Sequence, residues 1–136
     1  MDVDFDYDSI GDGLHGKIYR PVAKVTFKSP ITDSFVSSWM VVDSGADQSI
    51  LPKSIALRLN ISLKKDCVKE VTIGVGGRKN IYFMKNKIQA TIGHFKRMVP
   101  IAFADGSDIP PLLGRLGFME IFDVLFSKKH KVIFKE

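Results

Sequence analysis

The run Trp39-Met40-Val41-Val42-Asp43-Ser44-Gly45-Ala46-Asp47 carries an apolar stretch into an acid, a hydroxyl residue and a glycine. Aspartate is depleted from strands and costly to bury unpaired. A strand that delivers Asp43 at its end, into a turn that Gly45 permits, therefore either caps that turn or presents a carboxylate for acid–base chemistry. Turn capping suffices for the tripeptide alone, because Asp, Ser and Gly are the ordinary turn residues. The surrounding sequence adds weight to the chemical reading. Asp47 follows on the same loop, Ile50-Leu51-Pro52 closes it, and a second apolar run, Pro111-Leu112-Leu113, ends in Gly114-Arg115. Between the two lies Val71 to Phe83, two β-rich arms around Gly74-Val75-Gly76-Gly77, which reads as a hairpin.

Other chemistries find less support. Cys67 is the only cysteine, and His15, His94 and His130 fall in no pattern that would make it a nucleophile. The same histidines lack the paired spacing of zinc ligands. Asp4, Asp6 and Asp8 imitate the start of a calcium loop, but Ser9 and His15 stand where that loop needs a glycine and a bidentate acid. No metal and no cofactor is expected.

The elements that must position Asp43 follow from size and pattern. With 136 residues and 45% hydrophobic content, the chain is long enough for one core and too short for two ordinary domains. Residues 1–136 are expected to form one domain behind an extended lead over residues 1–17. A single cysteine permits no intrachain disulfide and fits a reducing compartment. The acidic amino end lacks the basic start and apolar core of a secretory signal, and no apolar stretch approaches the roughly 18 residues of a membrane span. A cytoplasmic protein with no membrane partner is expected. The net charge of +5 rests on scattered lysines, concentrated at Lys64-Lys65, Lys85 with Lys87, and Lys128-Lys129-His130-Lys131. These read as solvated faces; without a zinc-finger spacing or an RNA-recognition signature, no specific nucleic-acid partner is expected.

Short apolar segments recur between turn signals and almost none sustains a helical period, so the fold class is mainly all-β with one or two short helices. Ile18 to Lys28 reads as one strand. Phe35 to Val42 reads as the next, buried on both faces because its apolar run is continuous. Ser54 to Leu59 is a helix candidate that stops near Asn60. Ile88 to Ile92 and Phe95 to Phe103 read as strands joined at Gly93-His94. Gly117 to Phe122 is a second helix candidate, and Val124 to Phe126 with Lys131 to Lys135 form a closing pair of strands.

Asp43-Ser44-Gly45 behind its apolar lead-in, Asp47, the glycine-tipped hairpin and Leu112-Leu113-Gly114-Arg115 together resemble the retroviral-type aspartic proteases, the retropepsins, in their single-domain cellular and prokaryotic forms. The likeness runs from about Ile18 to Phe134. It implies a closed β-barrel-like acid-protease fold acting as a homodimer. Such an enzyme needs two facing carboxylates, and this chain has one Asp-Ser-Gly element; Asp12-Gly13 and Asp105-Gly106 lack the combination of an apolar lead-in followed by a hydroxyl residue and a glycine, and read as turns. The second carboxylate must come from a second chain.

The resemblance further implies an aspartic endopeptidase that hydrolyses peptide bonds with a water activated between two Asp43 carboxylates. Asp43, Ser44 and Gly45 would form the catalytic element, with Ser44 standing where the family more often has threonine and its hydroxyl linking the two loops. Ala46, Asp47, Gly74, Val75, Gly76 and Gly77 would contact an extended peptide or protein substrate, the last four as the tip of a flap. Gly114 and Arg115 would support the loop, Arg115 opening a helix and gripping Asp47 with its planar guanidinium. The alternative is a non-catalytic protein- or peptide-binding module of the same fold, in which Asp43 serves only the turn.

Overall fold

The computed structural model describes the whole chain except residues 75, 76, 107 and 108. Val75 and Gly76, expected at the flap tip, lie outside the described residues. The amino end forms β1 (Val3–Asp6) and a hairpin of β2 (Asp8–Gly13) and β3 (Gly16–Arg20). The main body follows: β4 (Val22–Lys28), β5 (Phe35–Val42), β6 (Ile50–Pro52), α1 (Lys53–Arg58), α2 (Leu63–Asp66), β7 (Cys67–Gly74), β8 (Gly77–Met84), β9 (Ile88–Ile92), β10 (Phe95–Val99), β11 (Ala102–Ala104) and β12 (Leu112–Leu113). A 3-10 turn at Met119–Ile121 leads into β13 (Asp123–Ser127) and β14 (Lys131–Lys135). Mainly β structure with two short α-helices matches the expected class.

Nine strands make one curled sheet in the order β10-β9-β4-β5-β12-β6-β11-β8-β7, so the sheet closes part of the way to a barrel and ends on β10 and β7. Most neighbours are antiparallel, but β12 runs parallel to β5 and β11 parallel to β6. A second sheet, β1-β14-β13, is built from the two ends of the chain.

Alternation decides what each strand buries. On β4, Ala23, Val25 and Phe27 point inward and are fully buried. On β5, Val36, Met40 and Val42 do the same. The expectation that β5 is buried on both faces is corrected here: Phe35 and Trp39 are 58% and 56% exposed. Strands buried on both faces belong to parallel sheets with helices on either side, whereas an antiparallel sheet commonly leaves one face to solvent, and β5 pairs β4 antiparallel here. Trp39 instead takes the edge of the Phe5 ring, 5.9 Å between centroids, from β1. The inner face of the second sheet completes the core, with Val132 and Phe134 fully buried and Phe122 meeting Phe134 edge-on at 5.7 Å.

Two strands expected as single runs are each two. Ile18 to Lys28 breaks at Pro21 into β3 and β4, which belong to different sheets, and Phe95 to Phe103 breaks at Pro100 into β10 and β11. A proline has no N–H for the ladder, so each marks the point where the chain leaves one sheet neighbour for another. The first helix candidate is α1, which buries Ile55 and Ala56 and ends where Asn60 takes a left-handed φ of 59°. The buried Ser29 hydroxyl donates to Leu59 O at 2.6 Å and closes that end. The second candidate is corrected: the segment after Arg115 is a series of turns and one 3-10 turn, because Gly117 sits at φ 66° and interrupts any α-helix there. The additional helix α2 is a single capped turn, Ser62 Oγ accepting from Lys65 N–H and Asp66 from Ser62 N–H. No helix among the described residues is long and apolar enough to cross a membrane.

Candidate active site

β5 carries the chain to Asp43, and the end of β12 holds it there. Val41 N–H donates to Pro111 O at 2.8 Å and Asp43 N–H to Leu113 O at 3.0 Å. The parallel register Leu112↔Val41, Leu113↔Val42 sets this contact, while β12 also pairs β6 through Leu112↔Ile50. The strand entering the loop and the strand leaving it are thus bridged by one two-residue strand from far along the chain.

Inside the loop the carboxylate shapes its own turn. Asp43 Oδ1 accepts from Gly45 N–H at 2.9 Å, and Asp43 O accepts from Ala46 N–H at 3.1 Å. A Cβ on Gly45 would stand 3.2 Å from Oδ1, a tight approach that the Asp43 side chain would have to relieve by a few tenths of an ångström. Asp43 is half-buried, whereas Ser44 and Gly45 are exposed. The turn-capping role is thus present: one carboxylate oxygen takes the Gly45 amide, while Ser44 and Gly45 face outward.

The far side of the loop is clamped by residues 114–116. Gly114 N–H donates to the buried Ser49 Oγ at 2.9 Å, Arg115 N–H to Ala46 O at 2.9 Å and Leu116 N–H to Asp47 O at 2.9 Å. Gly114 fits only because it has no side chain; a Cβ there would lie 2.3 Å from Gln48 O and 2.9 Å from Ala46 O. Arg115 and Asp47 form the expected ion pair. Their side chains are 45% and 75% exposed, and exposed pairs contribute about 0–1 kcal/mol. The main-chain bonds and the buried serine do most of the holding, and Arg115 orients Asp47. Ser49 escaped notice in the sequence because one serine in a polar loop gives no periodic signal.

A cleft of about 460 Å³ opens beside the loop. One wall is Ala46, Asp47, Gln48 and Ile50; the other is Thr72 of β7 with Gly77, Lys79, Ile81 and Phe83 of β8; Ile109 and Leu112 complete it. The cleft starts at Ala46, and Asp43 is not part of its wall. Of the residues expected to contact substrate, Ala46, Asp47 and Gly77 line it, and Gly74 pairs with Gly77 at the end of the hairpin. Gly77 takes a φ of 99°, a conformation that glycine adopts without strain. The β8 contribution was legible as a period of two, since Gly77, Lys79, Ile81 and Phe83 share one face of a strand.

Cys67 is buried at the start of β7 with its Sγ 3.7 Å from Met84 Sδ. Burial pushes its thiol pKa up, Asp66 pushes the same way, and Lys85 opposes them. The sulfur thus stays a thiol at neutral pH and is a poor nucleophile. Labelling of native protein by a disulfide reagent at neutral pH is expected to run slower than for a free cysteine and to become fast on unfolding. Fast native labelling would contradict this environment. His94 and His130 are engaged elsewhere, His94 Nε2 with Met1 O at 2.7 Å and His130 stacked on Tyr19.

Three comparisons bear on this geometry. The profile of a family described as aspartyl protease matches residues 31–115, the span from before β5 to Arg115. No curated protein matches the chain by sequence. Among solved structures, a retropepsin-like aspartic protease from Rickettsia conorii superposes with a TM-score of 0.63 over 98% of this chain and 98% of its own, at 18% identity. The retroviral protease-like domain of Ddi1 from Leishmania major also gives a TM-score of 0.63, covering 88% of this chain and 97% of its own at 19% identity. Both share the fold.

Proposed function

The chain belongs to the aspartyl protease family with a retropepsin-like fold, and from that premise we propose that it is a homodimeric aspartic endopeptidase in which each copy supplies one Asp43. The observation that supports this reading is the Asp43-Ser44-Gly45 turn, pinned by β12 and followed on the same loop by Ala46 and Asp47, which the clamp at residues 114–116 holds in the wall of an apolar cleft. One such turn is half of a two-carboxylate site, and a two-fold contact between identical loops completes it.

Two carboxylates held close cannot both ionise cheaply, so the pair shares one proton. The ionised Asp43 takes a proton from a water whose oxygen attacks the scissile carbonyl carbon. The protonated partner hydrogen-bonds the carbonyl oxygen as negative charge develops there. Collapse of the tetrahedral intermediate breaks the C–N bond, with a proton delivered to the leaving nitrogen. The Ser44 hydroxyls link the two loops across the axis, and Asp47, held by Arg115, meets the peptide backbone. Ile50, Ile81, Phe83, Ile109 and Leu112 give the cleft an apolar lining, which suits an apolar side chain of an extended peptide. The β7–β8 hairpin is the lid over that peptide.

Cleavage of an unfolded protein, followed against pH and enzyme concentration, tests this reading. A bell-shaped profile with an acidic optimum is expected, falling on the acid side as the ionised carboxylate takes a proton and on the alkaline side as the shared proton leaves. Activity per chain should collapse on dilution below the dimer dissociation constant, and chelators should have no effect. Activity that climbs steadily into alkaline pH, or an active species that sediments as a monomer, would sink the mechanism and leave the peptide-binding module as the better account.

A further inference from the structure

The β2–β3 hairpin is a part of the molecule that its own chain leaves uncovered. Every residue of both strands is exposed, and the exposed side chains include Ile10, Ile18 and, at the tip, Leu14 at 94%. A lone two-stranded hairpin is marginal in water, and this one also slips register between Ser9 and Gly11. Its root is fastened by Tyr19 stacked on His130, ring centroids 4.1 Å apart. The apolar side chains nearer the tip need a surface to cover them.

The root says which surface. Arg20 ends β3, and Pro21 O accepts from the N–H of Val42, the residue before Asp43. Two copies that join their Asp43 loops therefore bring the roots of both arms to the same contact. At about 3.3 Å per residue, a strand of this length reaches roughly 17 Å from there. Charge favours the same occupant. Asp8 lies across from Arg20 and Asp12 across from Lys17, so the arm's acids and bases balance while the chain as a whole carries +5. A balanced arm with an apolar tip can approach an identical basic body that would repel a basic one.

Resting on the homodimer proposed above, we propose that β2–β3 is a dimerisation arm that lays Ile10, Leu14 and Ile18 on the second copy of this chain. Sedimentation equilibrium and hydrogen exchange on the full chain test it. Amides of residues 8–20 are expected to be protected above the dimer dissociation constant and to exchange rapidly on dilution. The triple variant Ile10→Ser, Leu14→Ser, Ile18→Ser is expected to weaken the dimer at least about tenfold, with the onset of peptidase activity moving to correspondingly higher concentration. An unchanged dimer constant in that variant, or fast exchange over the arm at every concentration, overturns the arm and leaves catalysis by a dimer standing. Conversely, a wild-type dimer whose arm is protected but which cuts no peptide upholds the arm and overturns the protease reading. Protection that appears only with peptide bound assigns the arm to substrate, and a chain monomeric throughout assigns it to another protein; both overturn the proposal.

Discussion

Asp43→Asn is expected to lower peptide hydrolysis by at least roughly 10³-fold, since proton transfer by a positioned side chain contributes about 10²–10⁴-fold and the amide removes both the base and the shared proton. Fold and dimer should survive. The asparagine side-chain oxygen can still accept from Gly45 N–H, which Asp43 Oδ1 does now at 2.9 Å, and the main-chain bonds from Asp43 to Leu113 and Ala46 are indifferent to the side chain. Asp43→Ala would confuse the test by removing the turn bond as well. Steady-state kinetics with thermal unfolding and sedimentation on the same sample separates the outcomes. Wild-type cleavage by the asparagine variant would move the nucleophile elsewhere, whereas loss of the fold would show that Asp43 is first a structural cap.

Gly114→Ala is expected to have the largest effect on stability of any single methyl added near the loop. The new Cβ would meet Gln48 O at 2.3 Å, Gln48 C at 2.6 Å and Ala46 O at 2.9 Å, all main-chain atoms. No rotamer change relieves contacts with backbone, so residues 46–48 or 113–115 must shift. That shift breaks bonds that form the clamp: Gly114 N–H to Ser49 Oγ, Arg115 N–H to Ala46 O and Leu116 N–H to Asp47 O. A loss of about 3 kcal/mol or more follows, lowering the melting midpoint by roughly 10 °C. Activity should fall further than stability alone accounts for, because the displaced loop is the one that presents Asp43 and Asp47. Ser49→Ala provides the comparison: it leaves the steric fit intact and strands one buried N–H, at a cost of about 1–2 kcal/mol. If calorimetry finds Gly114→Ala no worse than Ser49→Ala, the close approach is not the reason for glycine at this position.

Much of the site was legible before any fold was known, and for a local reason. An aspartate at the end of an apolar run, followed by a hydroxyl residue and a glycine, reads as a turn that the aspartate can cap, and the Asp43–Gly45 bond is that cap. The hairpin from Val71 to Phe83 was likewise written in its β-rich arms and glycines, and α1 in the stretch from Ser54 to Asn60. The Asp47–Arg115 pair came from resemblance rather than from physics, since nothing in either residue's neighbourhood points across so much chain.

What escaped the sequence had tertiary causes. A continuous apolar run in β5 gave no sign that Trp39 would face outward, because burial of a strand's second face depends on what packs there, and here Phe5 of β1 meets Trp39 and leaves it 56% exposed. Pro21 and Pro100 were visible as residues without an N–H, yet that each would pass the chain from one sheet neighbour to another follows from the strand order alone.

The sequence by itself determined the mainly β class, the turn at Asp43 and the presence of one Asp-Ser-Gly element per chain, because local periodicity and turn chemistry need no distant partner. The tertiary structure alone decided that β12 lies between β5 and β6, that Gly114 touches the backbone of Gln48, that Ser49 is the buried acceptor for it, and that the chain's own body leaves the β2–β3 arm uncovered. Those facts depend on which segments meet after long loops close, and contacts of that kind are selected by the packing of the whole core rather than by any stretch of residues on its own.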